Sequence, residues 1–196
     1  MQNGLKITVP VVLGSASPRR QELIRKVFDN VLVKVSSVDE NVPDEVSAES
    51  VPEVLAVRKA LSVASVVADL PVIGCDTLVI ADGRILSKPK DEKDALKTLR
   101  DLSGRSHLVI TGCAIAYRGT VHCFSEATTV EFYPLSESEI ADYVQSKEPM
   151  DKAGAYGIQG AGGLFVKAIQ GDFYNVVGLP VARLRREFLD FWRSQA

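Results

Sequence analysis

Ser15-Ala-Ser-Pro-Arg-Arg20 follows the apolar residues Val11 to Leu13 after the single residue Gly14, and Gln21-Glu-Leu-Ile24 continues it as a helix. A helix N-terminus carries partial positive charge, so acids are favoured there and bases are not. Arg19 and Arg20 raise that positive potential further, which is reasonable if an anion binds. Phosphate is the anion that helix amides and guanidinium groups receive best. The alternative is that both side chains extend into water, at a cost of roughly 0.3 kcal/mol each. Ser15 and Ser17 add two hydroxyls to the same turn.

A second candidate is Asp76, alone in Val72-Ile-Gly-Cys-Asp-Thr-Leu-Val79. A carboxylate in so apolar a strand is costly if it is buried without a partner. At a strand end facing a cleft it could bind a metal or activate water. At a bulge it would simply accept bonds from backbone amides. Cys75 beside it reads as a buried, inert thiol, because no histidine lies nearby in sequence. Glu40 follows Asp39 in an acidic loop, and Lys59 and Lys88 are lone cations able to meet phosphate. Gly154-Ala-Tyr-Gly-Ile-Gln-Gly-Ala-Gly-Gly163 follows Asp151-Lys152. Its glycines fit tight turns or a close approach of backbone to ligand, or else a flexible surface loop. It is neither GxGxxG after a strand nor a P-loop. Together these residues are the kit for metal-assisted attack of water on a phosphoanhydride. Gln159 offers an amide that could pair with the edge of a uracil or thymine base.

Composition narrows the setting. The 196 residues fit one domain or two fused lobes. A net charge of −2 gives no global reason to expect nucleic acid or a membrane surface as partner. No window approaches ~20 consecutive apolar residues, the length of a membrane span. The three cysteines show no CxxC, and residues 1–10 have no signal-like run, so a reducing cytoplasm is expected. The two histidines are isolated, which leaves oxygen ligands for any metal.

Strands and helices interleave along the chain, an α/β pattern with a mixed sheet. Strands are expected at 11–14, 31–38, 71–80, 84–86, 109–117, 120–133 and 164–169. Helices are expected at 18–28, 50–68, 91–102, 136–145 and 181–192. Ser50 with Glu53, and Ser136 with Glu139, have the spacing of capping boxes. The segment 39–50, with Asp44, Glu45 and Glu49, reads as an acidic loop.

Six ordered motifs resemble the Maf family of nucleoside triphosphate pyrophosphatases: Ser15-Ala-Ser-Pro-Arg-Arg20, Gly74-Cys-Asp-Thr77, Ser87-Lys-Pro89, Leu102-Ser-Gly-Arg105, Asp151-Lys-Ala-Gly-Ala-Tyr-Gly-Ile-Gln-Gly160 and Asn175-Val-Val-Gly-Leu-Pro180. The resemblance runs from Val11 to about Leu184. It implies a single Maf-like domain over residues 1–196, with a central mixed twisted sheet flanked by helices. It also implies two lobes with a cleft between them, as in inosine triphosphatase-like folds. The implied reaction is hydrolysis of a nucleoside triphosphate to the monophosphate and pyrophosphate, with Mg²⁺ or Mn²⁺ as cofactor. By resemblance, Asp76 is the catalytic proton acceptor. Glu40, Lys59, Lys88 and Lys152 stand around metal and phosphates, with Glu40 and Asp76 as metal ligands and Asp39 as the rival of Glu40. Ser15, Ser17 and Arg19 belong to the phosphate turn. Arg20, Thr77 and Gln159 separate the family's branches. Here they are similar to the branch acting on dTTP and UTP, with modified pyrimidine nucleotides as a further class. Two alternatives stand beside this: the 7-methyl-GTP branch, and a nucleotide-binding regulator of septum formation acting through a partner. Cys75 occupies a position where alanine is usual. A homodimer is the assembly to expect, since symmetric dimers are the commonest.

Overall fold

Valine-, isoleucine- and leucine-rich runs become strands, and the segments whose apolar residues recur every three to four positions become helices. The computed structural model describes residues 2–43, 45–67 and 69–195. A short antiparallel pair, β1 (Gln2–Asn3) and β2 (Lys6–Ile7), precedes β3 (Val11–Leu13). Then follow α1 (Pro18–Ile24), β4 (Val31–Val33), α2 (Val51–Ala64), β5 (Val72–Ala81), β6 (Arg84–Leu86) and α3 (Glu92–Leu102). The long strands β7 (Ser106–Tyr117) and β8 (Thr120–Phe132) lead into α4 (Glu137–Gln145). Three 3-10 segments, Glu148–Asp151, Ala153–Ala155 and Ala161–Phe165, precede β9 (Val166–Gln170), α5 (Phe173–Val177) and α6 (Val181–Ser194).

Seven strands form one mixed sheet in the order β4-β3-β5-β7-β8-β9, with β6 paired to β5. β3 runs parallel to both β4 and β5, whereas β6 is antiparallel to β5 and β9 to β8. Among the described residues no helix is long and apolar enough to cross a membrane.

The chain forms two compact units. The first comprises residues 1–76, 111–126 and 178–196; the second comprises 77–110 and 127–177. In the first, Ala56, Ala60 and Val63 of α2 pack with Val12, Val72, Ala114 and Ala116. Phe28 and Phe188 meet edge-on at 4.8 Å in the same unit, both fully buried. In the second, Ala95, Leu99 and Leu102 turn one face of α3 onto Phe132, Ile140, Tyr143, Tyr156 and Phe165. Each of the larger side chains here, valine, leucine, isoleucine or phenylalanine, contributes about 1.5–3 kcal/mol by its burial.

Local signals differ in how they play out. Asp91 caps α3 through Oδ1, which accepts from the Asp94 amide at 2.8 Å. Ser136 and Glu139 form the capping box at α4. The expected box at Ser50 and Glu53 does not form. Glu53 instead accepts from Ser125 Oγ at 2.9 Å and from Cys123 Sγ at 3.3 Å. The first helix stops at Ile24, short of Phe28, with Arg25 as its C-cap. β4 covers Val31–Val33 rather than reaching Val38. Leu164 and Phe165, expected in the last strand, fall in a 3-10 turn, and β9 starts at Val166. Asp44 and Ala68, counted above in the acidic loop and the second helix, lie outside the described residues.

Candidate active site

Two glycines bring the second helix onto the sheet. A Cβ at Gly74 of β5 would stand 2.2 Å from the Ala56 carbonyl and 2.6 Å from the Ala60 amide. One at Gly112 of β7 would stand 2.3 Å from Pro52. Only hydrogen fits at either place, so α2 lies directly on β5 and β7. That contact sets Lys59 of α2 beside Asp76 of β5. Lys59 Nζ donates to Asp76 Oδ1 at 2.6 Å. It also meets Glu40 Oε1 at 2.7 Å. The Lys59 and Asp76 side chains are only 13% and 11% exposed, whereas Glu40 is 65% exposed. The pair is thus a sheltered one, in a setting where removing one partner is far more costly than at the surface.

Glu40 and Asp39 take different roles. The Asp39 carboxylate turns back on Asn41, accepting from its backbone amide at 3.0 Å and from Nδ2 at 2.8 Å. Arg58, the neighbour of Lys59 on α2, donates to the Asn41 carbonyl at 2.5 Å and to the Asp39 carbonyl at 3.4 Å. The loop is therefore pinned on both sides of Glu40, which reaches Lys59. Nothing local in the sequence marks Arg58 for this part, because its guanidinium serves carbonyls 17 and 19 residues away.

The Ser15–Arg20 turn lies in the same unit. Ser17 caps α1, its hydroxyl accepting from the Arg20 amide at 3.4 Å, and no acid occupies the first turn. Ser15 is buried; its hydroxyl accepts from the Ser17 amide and from Arg20 Nη1, each at 3.3 Å. Arg20 Nε donates to the Gly178 carbonyl at 2.9 Å. Arg20 therefore ties the turn to the segment 178–180, and Arg19 beside it is half-buried.

A model of the Maf-like protein family matches residues 10–191, which span every residue described in this site. The chain belongs to the Maf family. A dTTP/UTP pyrophosphatase of Bacillus velezensis is 46% identical over 94% of this chain and 98% of its own length. One of Bacillus mycoides is 48% identical over 92% and 95%. One of Halalkalibacterium halodurans is 45% identical over 90% and 93%. Among solved structures, the Staphylococcus aureus Ham1 protein aligns with a TM-score of 0.44 at 16% identity, covering 63% of this chain and 71% of that one.

In this Maf-family chain, Thr77, Lys88, Lys152 and Gln159 belong to the second unit. Thr77 is half-buried on β5, immediately after Asp76, and Lys88 is exposed in the loop after β6. Lys152 pairs with Asp151 at 2.7 Å and also donates to the Glu148 carbonyl. Gln159 is exposed in the glycine-rich segment. That segment is folded rather than loose. Gly157 N donates to the Tyr143 hydroxyl at 3.0 Å, and Ala161 N donates to Glu148 Oε2 at 3.0 Å. Glu148 and Tyr143 carry no sequence signal of this role, since one resembles a surface acid and the other a core aromatic.

Proposed function

We propose that the chain is a nucleoside triphosphate pyrophosphatase acting on dTTP and UTP, with modified pyrimidine nucleotides as a further substrate class. The observation that carries the proposal is the convergence of Asp76 and Glu40 on Lys59 Nζ, at 2.6 and 2.7 Å, in a family member close to curated dTTP/UTP pyrophosphatases.

The oxygens of this cluster fit a divalent cation. Two carboxylates already converge on one positive centre, and hard oxygen donors suit Mg²⁺ or Mn²⁺. Glu40 and Asp76 would be the protein ligands, with water and phosphate oxygens completing the shell as is usual for Mg²⁺. When bound, the cation would neutralise triphosphate charge and polarise the anhydride.

The chain's own groups do the rest. Asp76 holds Oδ1 on Lys59, so Oδ2 takes the proton as a water oxygen attacks the α-phosphorus. The bond from that phosphorus to the α–β bridging oxygen breaks, and pyrophosphate leaves. Water thus appears in the monophosphate, and one pyrophosphate forms per turnover. Ser15 already accepts two hydrogen bonds, so its own proton is available for a phosphate oxygen. Arg19, Ser17, Lys88 and Lys152 complete the charge and hydrogen-bond set for the polyphosphate. Arg20, Thr77 and Gln159 select the base, with the Gln159 amide pairing to a pyrimidine edge.

A panel of nucleoside triphosphates with Mg²⁺ or Mn²⁺, counting pyrophosphate and orthophosphate separately, tests this reading. Pyrophosphate equal to monophosphate from dTTP and UTP is the expected result. Orthophosphate as the sole released product, or no turnover of any pyrimidine triphosphate, overturns it. Faster turnover of 7-methyl-GTP than of dTTP overturns the pyrimidine assignment.

A further inference from the structure

The segment carrying Gln159 is held by two side chains to which the reaction above gives no part. Tyr143 lies in α4, and Glu148 opens the 3-10 segment after it. The Tyr143 hydroxyl accepts from the Gly157 amide at 3.0 Å and donates to Glu148 Oε1 at 2.9 Å. The same carboxylate accepts from the Ala161 amide through Oε2 at 3.0 Å and from the Gly162 amide through Oε1 at 3.4 Å. Three amides from the stretch 157–162 are thereby gathered onto one carboxylate, either directly or through one hydroxyl. Gln159 is exposed between the gathered amides.

The glycines of the segment are shaped around this clamp. A Cβ at Gly160 would stand 2.3 Å from Glu148 Oε1, and one at Gly162 would stand 2.7 Å from the Tyr143 hydroxyl. Burial, with the Glu148 charge as a smaller contribution, raises the Tyr143 pKa well above its ordinary value, so the hydroxyl remains a donor. Holding the backbone in this way before substrate arrives removes the ordering cost at binding and fixes where the Gln159 amide is presented.

We propose that Glu148, acting partly through Tyr143, is a positioning residue for base selection: it clamps the segment 157–162 so that Gln159 meets the pyrimidine edge. This rests on the pyrophosphatase reading above. The test is a double-mutant cycle in steady-state kinetics on dTTP and dCTP, using wild type, Gln159→Ala, Glu148→Gln and the double variant. Glu148→Gln is expected to lower kcat/KM for dTTP by about 10- to 100-fold, almost entirely through KM. The dTTP-to-dCTP preference narrows accordingly. The double variant is expected to be no less selective than Gln159→Ala alone, because both changes remove the same contact.

Additive losses of selectivity overturn the proposal, as does an unchanged preference in Glu148→Gln or a fall in kcat at constant KM. Should Glu148→Gln fail to fold, Tyr143→Phe, which keeps the ring in the core, takes its place in the same cycle with the same expected and opposing results. Wild-type protein that releases no pyrophosphate overturns the pyrophosphatase reading and this proposal with it. Wild-type protein that does release it, together with any of the opposing kinetic results, overturns this proposal alone.

Discussion

The Lys59 cluster and the glycine-rich segment solve opposite problems with the same kinds of groups, carboxylates and close-packed glycines. At Lys59, Asp76 and Glu40 the side chains are what must be placed, and close backbone packing is the scaffold: Gly74 and Gly112 let α2 touch β5 and β7. At residues 157–162 the backbone is what must be placed, and the side chains of Glu148 and Tyr143 are the scaffold. In both, glycine marks where backbone is approached closely, by helix backbone in the first and by a carboxylate in the second. A glycine in a motif thus has meaning only together with the atom that occupies the space of its missing Cβ.

The largest effect is expected from changing a side chain of the Lys59 cluster while leaving its scaffold in place. Asp76→Asn keeps the shape of the side chain but cannot take a proton. Turnover of dTTP is expected to fall about a thousandfold, the scale of a lost general base. Nucleotide affinity, measured by equilibrium binding, should change little. Unchanged turnover would remove Asp76 from the proton-acceptor role.

The second unit carries its own buried titratable group, outside both regions compared. His107 Nε2 lies 2.9 Å from the Tyr156 hydroxyl, and the ring is edge-on to Phe132. Burial lowers its pKa from 6.5 to about 4. The unfolded chain therefore takes up this proton first as pH falls, so stability is lost between pH 6.5 and about 4. The loss should amount to about 3 kcal/mol by the lower end of that window. His107→Phe should flatten this part of the stability–pH curve in urea denaturation. A curve of unchanged slope would contradict the assignment.

Gly74→Ala tests the scaffold of the first region alone. Its Cβ cannot be housed 2.2 Å from a carbonyl oxygen, so α2 must move off β5. A stability loss of about 1–3 kcal/mol is expected, typical of overpacking. Activity should fall too, as Lys59 is carried away from Asp76. Wild-type stability and turnover in this variant would show that the close approach is not what sets the cluster.

What could be read from the sequence follows the range of the interactions. Asp91 and Ser136 cap helices with partners three residues away, and both caps form. Ser50 and Glu53 have the same spacing, yet Glu53 is taken by Ser125, 72 residues on. The interleaved strands and helices were legible because apolar periodicity is local, and the mixed sheet follows from them. The ends of α1 and β4 were not, because α1 runs into a turn and β4 into irregular chain, neither with a strong stop signal. In the candidate site, Asp76 stood out as the one charge in an apolar strand. Lys59 and Glu40 are ordinary charges by local sequence, and only the resemblance to the Maf family gives them a place in the site. Their meeting depends on Gly74, whose missing side chain reads in sequence as a turn residue or a strand weakness. Glu148 was silent for the same reason: its partners are backbone amides, which every residue has.

The phosphorus that water attacks decides the roles proposed for Asp76, Lys59 and Glu40, and the isotope distribution in the products identifies it directly. Hydrolysis of dTTP in ¹⁸O-labelled water is expected to place one label in the phosphate of the thymidine monophosphate and none in the released pyrophosphate. Label in pyrophosphate or in orthophosphate would mean attack at another phosphorus, and would contradict the roles given to Asp76, Lys59 and Glu40.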